Sequence, residues 1–177
     1  MAGRNTHNKD DAQKESTMVD YVICVRRVTK VTKGGKRFSF SALVVSGDKK
    51  GKVGIALGKS REVSSAITKA TNRARKNLVD IPLRGETLPY HVVGKHGAST
   101  VMMRAASKGT GVIAGGAVRS VMEALGVKDV LAKSIGSSNR VNTVKATFNA
   151  IAQLRSVSHI AKLRGKTVDQ IMKGSDV

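Results

Sequence analysis

Two glycine-rich segments have the residue types that hold phosphates in nucleotide-using enzymes. The first, residues 54–60, reads Gly-Ile-Ala-Leu-Gly-Lys-Ser and lies between a predicted strand and a predicted helix, where a P-loop belongs. Three residues separate its two glycines, whereas the motif has four, so the loop is too short to wrap a phosphate with its amides. We interpret this segment as a strand of small residues, with a helix cap at Ser60 and surface cations beside it.

The second segment, residues 109–114, reads Gly-Thr-Gly-Val-Ile-Ala and opens a predicted helix, with Asp129 twenty residues after Gly109. This arrangement is similar to a dinucleotide-binding fingerprint. However, Asp129 precedes the predicted strand 130–135, whereas the ribose-binding acid should end such a strand. The chain is also too short for two nucleotide-binding halves beside a basic unit. We therefore predict no cofactor, and leave open that this helix start contacts a phosphate or a partner loop.

Other catalytic arrangements are absent from the sequence. Its four histidines include no metal-binding pair on one helix face, and no Gly-x-Ser-x-Gly segment presents a nucleophile. The twelve acidic residues form no plausible acid–base pair. The single cysteine, Cys24, excludes an internal disulfide and a CxxC zinc site, and it is interpreted as a small buried residue. The sequence therefore predicts no metal site and no enzyme.

Positive charge is the dominant property of the chain. Its 177 residues contain 32 Lys and Arg against 12 Asp and Glu, a formal net charge of +20. Such self-repulsion disfavours a compact state unless a polyanion offsets it, and neutralising phosphates releases counterions. Aromatic residues make up only 3%, which favours contact with phosphates and folded RNA over stacking on single-stranded bases. The sequence therefore predicts an RNA-binding protein.

The basic residues are densest in residues 21–84, where sixteen bases accompany three acids. The alternative is a solvated surface whose charges prevent edge-to-edge aggregation, but the scarcity of interleaved acids favours RNA binding. The glycines of the predicted hairpin turn would let the backbone approach a phosphate. The predicted RNA-binding residues are Arg26, Arg27, Lys30, Lys33, Gly34, Gly35, Lys36, Arg37, Lys49, Lys50, Lys52, Lys59, Arg61, Lys69 and Arg73.

Hydrophobic patterning predicts an α+β protein whose first unit is β-β-β-α. A long strand over residues 19–33 leads through the Gly-Gly turn to a strand that alternates from Arg37, and a third strand covers residues 53–58. The helix that follows begins near Ser60 and carries an apolar stripe at helical spacing. We expect an N-terminal domain over residues 19–84, similar to double-stranded-RNA-binding folds.

The second predicted unit is a β-β-α-β-α two-layer sandwich over residues 85–165. Strands 87–93 and 100–105 flank a turn, a helix ends at Gly126, and the strand 130–135 precedes a helix capped by residues 137–139. We expect a disordered tail over residues 1–18 and a short helix within residues 166–177. No stretch approaches the ~20 apolar residues of a membrane span, and no signal core precedes the first unit, so we expect a cytoplasmic protein.

Several long segments resemble the family of the fifth protein of the small ribosomal subunit, the S-five family, of bacterial or organellar type. The densest match is Gly-Lys-Arg-Phe-Ser-Phe-Ser-Ala-Leu-Val-Val-Ser-Gly-Asp at residues 35–48, continued at 51–54 and 62–67. Further matches lie at 109–116, with Arg119 beyond, and at 131–137. The resemblance covers residues 19–165. One departure is Arg140, which stands where the family commonly has proline after asparagine.

The resemblance implies a structural protein of the ribosome that binds 16S-type ribosomal RNA (rRNA) and helps assemble the small subunit. It implies that the hairpin tip, residues 33–36, reaches toward the subunit neck near the spectinomycin site. It also implies that Arg26, Arg27 and Lys30 lie along messenger RNA (mRNA) where it enters the subunit. A surface facing an S-four family protein, where decoding accuracy is tuned, is implied for Gly109, Gly111, Gly115, Gly116 and Arg119, and an S-eight family protein is implied as a second neighbour.

Two other functions remain as alternatives. A free-standing regulator would use only the first domain to bind double-stranded RNA, whereas an enzyme would use the glycine loops to bind a phosphate. Sedimentation separates the first alternative, because a ribosomal protein should travel with the small subunit at physiological salt. Nucleotide binding separates the second.

Overall fold

The computed structural model describes residues 18–173, without the side chains of the last two, so the predicted tail over residues 1–18 lies outside the described residues except for Met18. The described strands and helices form two groups along the chain, each with its own sheet, which confirms the predicted α+β class. The first group is β1 (Val19–Thr32), β2 (Gly35–Gly47), β3 (Lys52–Ser60), α1 (Val63–Lys76) and β4 (Leu78–Asp80). The second is β5 (Val92–His96), β6 (Ser99–Ala105), β7 (Val112–Ile113), α2 (Gly116–Leu125), β8 (Val130–Gly136), α3 (Arg140–Ile151), α4 (Val157–Arg164) and α5 (Val168–Lys173).

The N-terminal sheet is antiparallel, in the order β1-β2-β3-β4, and α1 packs on one of its faces. Ala66, Ala70 and Ala74 line the buried side of α1, so the helix approaches the small residues of the strands closely. The cap predicted at Ser60 is wrong: Ser60 pairs with Phe40 at the end of β3, and the helix begins after Glu62. Strand β4 was not predicted because its three residues are too short to show alternation.

The C-terminal sheet has the order β5-β6-β8-β7, with β7 parallel to β8 and the other pairs antiparallel. Helices α2 and α3 cover one of its faces. The strand predicted over 87–93 begins only at Val92, because Thr87 instead forms an isolated bridge with Arg84. The turn predicted over 94–99 shortens accordingly, since His96 pairs with Ser99. Neither β7 nor α4 was predicted.

The helix ends in this half follow local chemistry, as predicted. Gly126 ends α2 with φ +92°, a backbone conformation that favours glycine. The side chain of Asn139 accepts a hydrogen bond from the Val141 amide and so caps α3, even with Arg140 as the next residue. Thr167 and Gln170 exchange hydrogen bonds between side chain and backbone, which confirms the capping box of the short tail helix. Within residues 18–173, no helix is both long and apolar enough to cross a bilayer.

One hydrophobic core connects the two sheets. Leu43 and Val45 of β2 point away from α1 and pack in the same cluster as Met122 of α2. Cys24 packs against this cluster but is only half-buried, so it is less covered than the small buried residue that was predicted. The base of the N-terminal sheet is therefore covered on both faces, by α1 and by α2. The boundary predicted between residues 84 and 85 stays a prediction, because this core crosses it.

The β2–β3 turn closes the junction between the sheets. Its Lys49 and Gly51 amides donate to the Ala124 and Leu125 carbonyls, both at 3.1 Å, and so satisfy carbonyls at the C-terminus of α2. The backbones approach so closely that a Cβ atom at Gly126 would lie 2.1 Å from the Lys49 carbonyl oxygen. These contacts fix the base of the β1–β2 hairpin to the C-terminal half.

Candidate nucleic-acid interface

The β1–β2 hairpin extends beyond the rest of its sheet. Strand β3 stops opposite Phe40, whereas β1 and β2 remain paired up to Thr32 and Gly35. We call residues 26–39, including the Lys33-Gly34 turn, the basic arm. Almost every side chain in it is exposed, among them Val31 at 72%. The predicted Gly-Gly turn is therefore at the tip of a projecting two-stranded ribbon.

The pairing of the strands sorts the arm cations onto two faces. Directly opposite residues share a face, so Lys30 and Arg37 lie side by side on one face, with Arg26 farther along it. On the other face the Arg27 guanidinium lies 4.8 Å from the centre of the Phe38 ring, a cation–π contact. Like charges directly opposite one another destabilise a strand pair. The pair formed by Lys30 and Arg37 thus marks a surface that favours an anion between the two side chains.

Acidic compensation is lacking around the arm. The sequence has no Asp or Glu from residue 21 to residue 47. The ion pairs found among residues 18–173 join Arg75 to Asp20, Arg119 to Glu123 and Lys128 to Glu86, and none involves the arm. Each arm cation therefore keeps its charge available for an external anion.

The other predicted RNA-binding residues separate into three further groups. Lys59, and Arg61 just after β3, lie at the base of the arm, and Lys59 shares a face with Arg26 because both pair with Ser41. Lys69 and Arg73 lie exposed on α1, with the Arg73 guanidinium donating to the Leu57 carbonyl at 3.3 Å. Gly58 and its partner Ala42 face α1, so Lys59 faces away from it, and these four residues place positive charge on both sides of the sheet.

The turn that carries Lys49, Lys50 and Lys52 lies at the opposite end of β2 from the arm. Thirteen residues of β2 separate the two ends, a span of about 40 Å at the rise of a strand. Asp48 holds the turn by accepting hydrogen bonds from the Lys50 amide at 2.7 Å and the Lys52 amide at 3.0 Å. The three lysine side chains are exposed, while the backbone of this turn closes the junction. The structure therefore does not bring these lysines together with the arm.

The glycine-rich loop before α2 is held by a carboxylate from its own chain. The amides of Gly109 and Gly111 both donate to Oδ1 of Asp129, at 3.0 and 2.9 Å, and Asp129 is buried. These are the amides that would hold a pyrophosphate in a dinucleotide-binding loop, and they are already occupied. Sequence reasoning weighed Asp129 as a ribose ligand and missed this structural role, which only the folded chain reveals.

The rest of this region is exposed to possible partners. Gly115 and Gly116 begin α2, and Arg119 in its second turn is exposed and pairs with Glu123 at 2.7 Å. Lys128 forms a hydrogen bond with the Glu86 carboxylate. That bond, followed by the negative charge of Glu86, raises the pKa of Lys128 above the usual lysine value. The five predicted partner-contact residues thus lie in the loop before β7, at the cap of α2 and in α2 itself.

The first glycine-rich segment is a strand. Gly54 and Gly58 lie in β3 against α1, which confirms the interpretation of this segment as a strand of small residues. Because the segment is extended and paired with β2 along its whole length, it offers no loop that could wrap a phosphate.

A surface that sequence reasoning missed lies on the C-terminal sheet. One face of this sheet packs on α2 and α3, while large apolar side chains on the other face are exposed: Val93, Met102, Ile113, Leu131 and Ile135. The signal for this surface was the unbroken apolar run Val101-Met102-Met103, because a strand covered on one side normally alternates apolar with polar residues.

Family models identify both halves of the chain. The model described as ribosomal protein S5, N-terminal domain, matches residues 18–82, and the model described as ribosomal protein S5, C-terminal domain, matches residues 94–164. The chain belongs to the ribosomal protein S5 family. The resemblance seen in the sequence is thereby confirmed.

Curated members of the S5 family match nearly the full length of the chain. A protein named small ribosomal subunit protein uS5 from Flavobacterium psychrophilum is 56% identical over 88% of this chain and 89% of its own length. Proteins of the same name from Coxiella burnetii and Nitrobacter winogradskyi are 53% and 49% identical, covering 86% and 98% of this chain and 90% and 93% of their own lengths. An S5-family chain is a protein of the small ribosomal subunit and not an enzyme, as predicted.

Proposed function

We propose that this chain is a structural constituent of the small subunit that binds 16S-type rRNA through the basic arm and the cations at its base. The observation that carries the proposal is the pair formed by Lys30 and Arg37, placed directly opposite one another in a stretch, residues 21–47, that contains no Asp or Glu. A phosphate between two such cations converts their repulsion into two favourable contacts.

The mechanism is electrostatic and geometric. Each cation that neutralises a phosphate releases condensed counterions, which supplies affinity without sequence preference. The base of the β1–β2 hairpin is packed between α1 and α2. The hairpin therefore presents the cations of the basic arm at fixed spacing along its two strands. Such contacts set the position and orientation of an RNA helix and leave base recognition aside. This geometry supports a role in holding RNA elements in register during assembly.

Finer roles follow from the S5 family resemblance and form part of the proposal. Residues 33–36, at the arm tip, would reach toward the subunit neck. Arg26, Arg27 and Lys30 would lie along mRNA where it enters the subunit. Their exposure, and the absence of an acidic partner for them within residues 18–173, support contact with either RNA.

We further propose that the glycine-rich loop and the start of α2 contact an S-four family protein and influence decoding accuracy, with an S-eight family protein as another neighbour. Gly109 and Gly111 are fixed by Asp129, and Arg119 is exposed on the adjoining helix. A loop that is already ordered loses little conformational freedom when it meets a partner, which supports this assignment.

The main experiment measures the affinity of the full chain for 16S rRNA at several salt concentrations. Arg27→Glu or Lys33→Glu should each weaken binding and reduce the slope of log affinity against log salt by about one unit. The matched control is Lys145→Glu, which reverses an exposed charge in the middle of α3, away from the arm. Equal losses for all three variants would contradict the assignment to the arm.

A second measurement separates the ribosomal role from that of a free-standing RNA regulator. The chain should sediment with the small subunit at physiological salt. Sedimentation as a free protein, together with binding to any double-stranded RNA, would instead favour the regulator.

A further inference from the structure

The two faces of the basic arm differ in their chemistry. Strand pairing runs without interruption from residue 25 to the turn, so each arm residue keeps to one face of the ribbon. One face carries the cations Arg26, Lys30 and Arg37 and has no aromatic side chain. We call the opposite side of the arm the aromatic face; it comprises Arg27, Thr29, Val31, Lys36 and Phe38.

Phe38 presents its ring to solvent. The chain has three Phe, two Tyr and no Trp; all five rings lie within residues 18–173, and among them only Phe38 is exposed, at 48%. Phe40 lies two residues nearer the base on the same side of β2 and packs against α1. The cover that α1 provides therefore ends between the two rings, because β3 stops opposite Phe40 and the helix begins after that end.

Two cations flank the Phe38 ring along the aromatic face. On the side of the base, the Arg27 guanidinium lies over the ring, 4.8 Å from its centre. On the side of the tip, Lys36 lies two residues along the same strand, about 7 Å away at the rise of a strand. Both cations are exposed, and neither has an ion-pair partner within residues 18–173. The ring is therefore an apolar surface placed between two available positive charges.

This combination matches one nucleotide better than it matches a phosphate or a duplex. A single exposed apolar side chain needs no ligand, but a ring between two cations has two components to satisfy. A phosphate would neutralise a cation and leave the ring in water, whereas a base within a duplex has both of its faces covered by its neighbours. An unpaired nucleotide offers a free base to stack on a ring and a phosphate to meet a cation.

We propose that an unpaired nucleotide of the rRNA stacks its base on the ring of Phe38. Its phosphate contacts Lys36, while Arg27 holds the ring through the cation–π contact. The proposal deepens the proposed function and rests on it, since it adds one uncharged contact to an arm whose other contacts are electrostatic. The arm then lies between two parts of the RNA, with backbone phosphates on its cationic side and the unpaired base on its aromatic face.

The first test compares the affinity of full-length variants for 16S rRNA at several salt concentrations. Phe38→Leu keeps an apolar side chain and removes the flat ring, so the affinity should fall about tenfold at every salt concentration. The slope of log affinity against log salt should not change, because an uncharged ring releases no counterions. Phe38→Tyr keeps a ring and should bind as the unaltered chain does. The control Val31→Ala removes a still more exposed apolar side chain from the same face and should leave the affinity unchanged.

The second test detects the stacked base directly. Because the chain has no Trp, Phe38→Trp introduces a single indole whose emission is quenched when a base stacks on it. Binding of 16S rRNA should quench this emission, whereas a fully paired RNA duplex should bind the cations and leave the emission unchanged. Leu163→Trp, at a 62% exposed position of α4, is the control and should keep its emission with either RNA.

Each contrary result has a distinct meaning. If Phe38→Leu binds normally while Arg27→Glu and Lys33→Glu lose affinity, the stacked base is wrong and the proposed function stands. A loss of affinity accompanied by a smaller salt slope would mean that Phe38 only places the cations. Equal quenching by the duplex would exclude an unpaired nucleotide, and quenching only in assembled subunits would assign the ring to a protein. If none of the three substitutions weakens binding, the proposed function fails and this proposal fails with it.

Discussion

The two ends of the β1–β2 hairpin are built from the same strands and have opposite environments. At the base, Val44 packs on α1 and Leu43 packs toward α2, so the sheet is covered on both faces. At the tip, from Lys30 to Arg37, neither face is covered by the part of the chain that the structure describes. A two-stranded ribbon alone is marginally stable in water. The order of the basic arm therefore depends on the anchored base and on whatever anion the arm binds.

The contrast also holds for charge. The base places small and aliphatic residues where backbones approach closely, whereas the tip places two cations directly opposite one another. Sequences depart from their own folding rules mainly at functional sites. Stability should therefore respond to substitutions at the base, and RNA binding to substitutions at the tip.

The largest effect is expected at the junction that anchors the base. Gly126→Val adds a side chain whose Cβ would meet the Lys49 carbonyl at 2.1 Å, at a residue with φ +92°. Clash and backbone strain together should lower the free energy of unfolding by ~5 kcal/mol or more, enough to unfold a marginal domain. Urea denaturation or soluble yield measures this loss.

The matched control lies at the other end of the same helix. A Cβ at Gly116, the first residue of α2, would have no neighbour within 4 Å, so Gly116→Val should change stability by less than about 1 kcal/mol. Comparable losses at the two glycines would mean that the junction does not anchor the base.

A second pair of substitutions compares base and tip on one strand. Leu43→Ala removes a fully buried side chain of β2 and should cost about 3 kcal/mol. Phe38→Ala, five residues away in the arm, removes a half-exposed ring and should cost less than about 1 kcal/mol. Chemical denaturation of both variants measures the difference, and a larger loss for Phe38→Ala would reverse the proposed contrast.

Much of this contrast could be predicted from the sequence, because it depends on local patterns. Alternation from Arg37 onward, the Gly-Gly turn and the run of bases located the hairpin and its charge. The anchor could not be predicted, since it joins residues 47–51 to residues 124–126 and only the packed fold brings them together. The same limit explains why the role of Asp129 and the exposed apolar face of the C-terminal sheet were missed: both depend on which strands become neighbours.

A smaller effect is expected from the hydrogen bond that ties β1 to the C-terminal half. The Arg140 guanidinium donates to the carbonyl of Ile23 at 3.2 Å, where a bulge between Val22 and Cys24 interrupts the pairing of β1 with β2. Arg140→Ala should cost about 1 kcal/mol in urea denaturation. Lys145→Ala, on the same helix, should stay within about 0.5 kcal/mol.

Arg140→Pro sharpens this prediction, because proline is what the S-five family commonly has here. Position 140 is the first residue of α3 after the cap Asn139, and proline is favourable at that position. Arg140→Pro and Arg140→Ala both remove the bond to Ile23, but only proline favours the helix start. Arg140→Pro should therefore cost less than Arg140→Ala. A greater loss for proline would mean that the start of α3 does not tolerate proline, because both substitutions remove the same bond to Ile23.

The smallest change in stability is expected at the tip, and its sign is the informative part. Lys30→Gln removes one of two like charges that face each other, so the free arm should become more stable by roughly 0.2–1 kcal/mol at low salt. Hydrogen exchange of the arm amides measures this change locally. The same substitution should weaken rRNA binding and reduce its salt slope by about one unit.

Lys36→Gln is the control, because Lys36 lies opposite the uncharged Val31. It should reduce the salt slope equally and leave the hydrogen-exchange protection of the arm amides unchanged. If Lys30→Gln lowered both arm protection and RNA affinity, the loss of binding would follow from a damaged arm, and the two opposed cations would be a structural feature of the hairpin instead of a phosphate site.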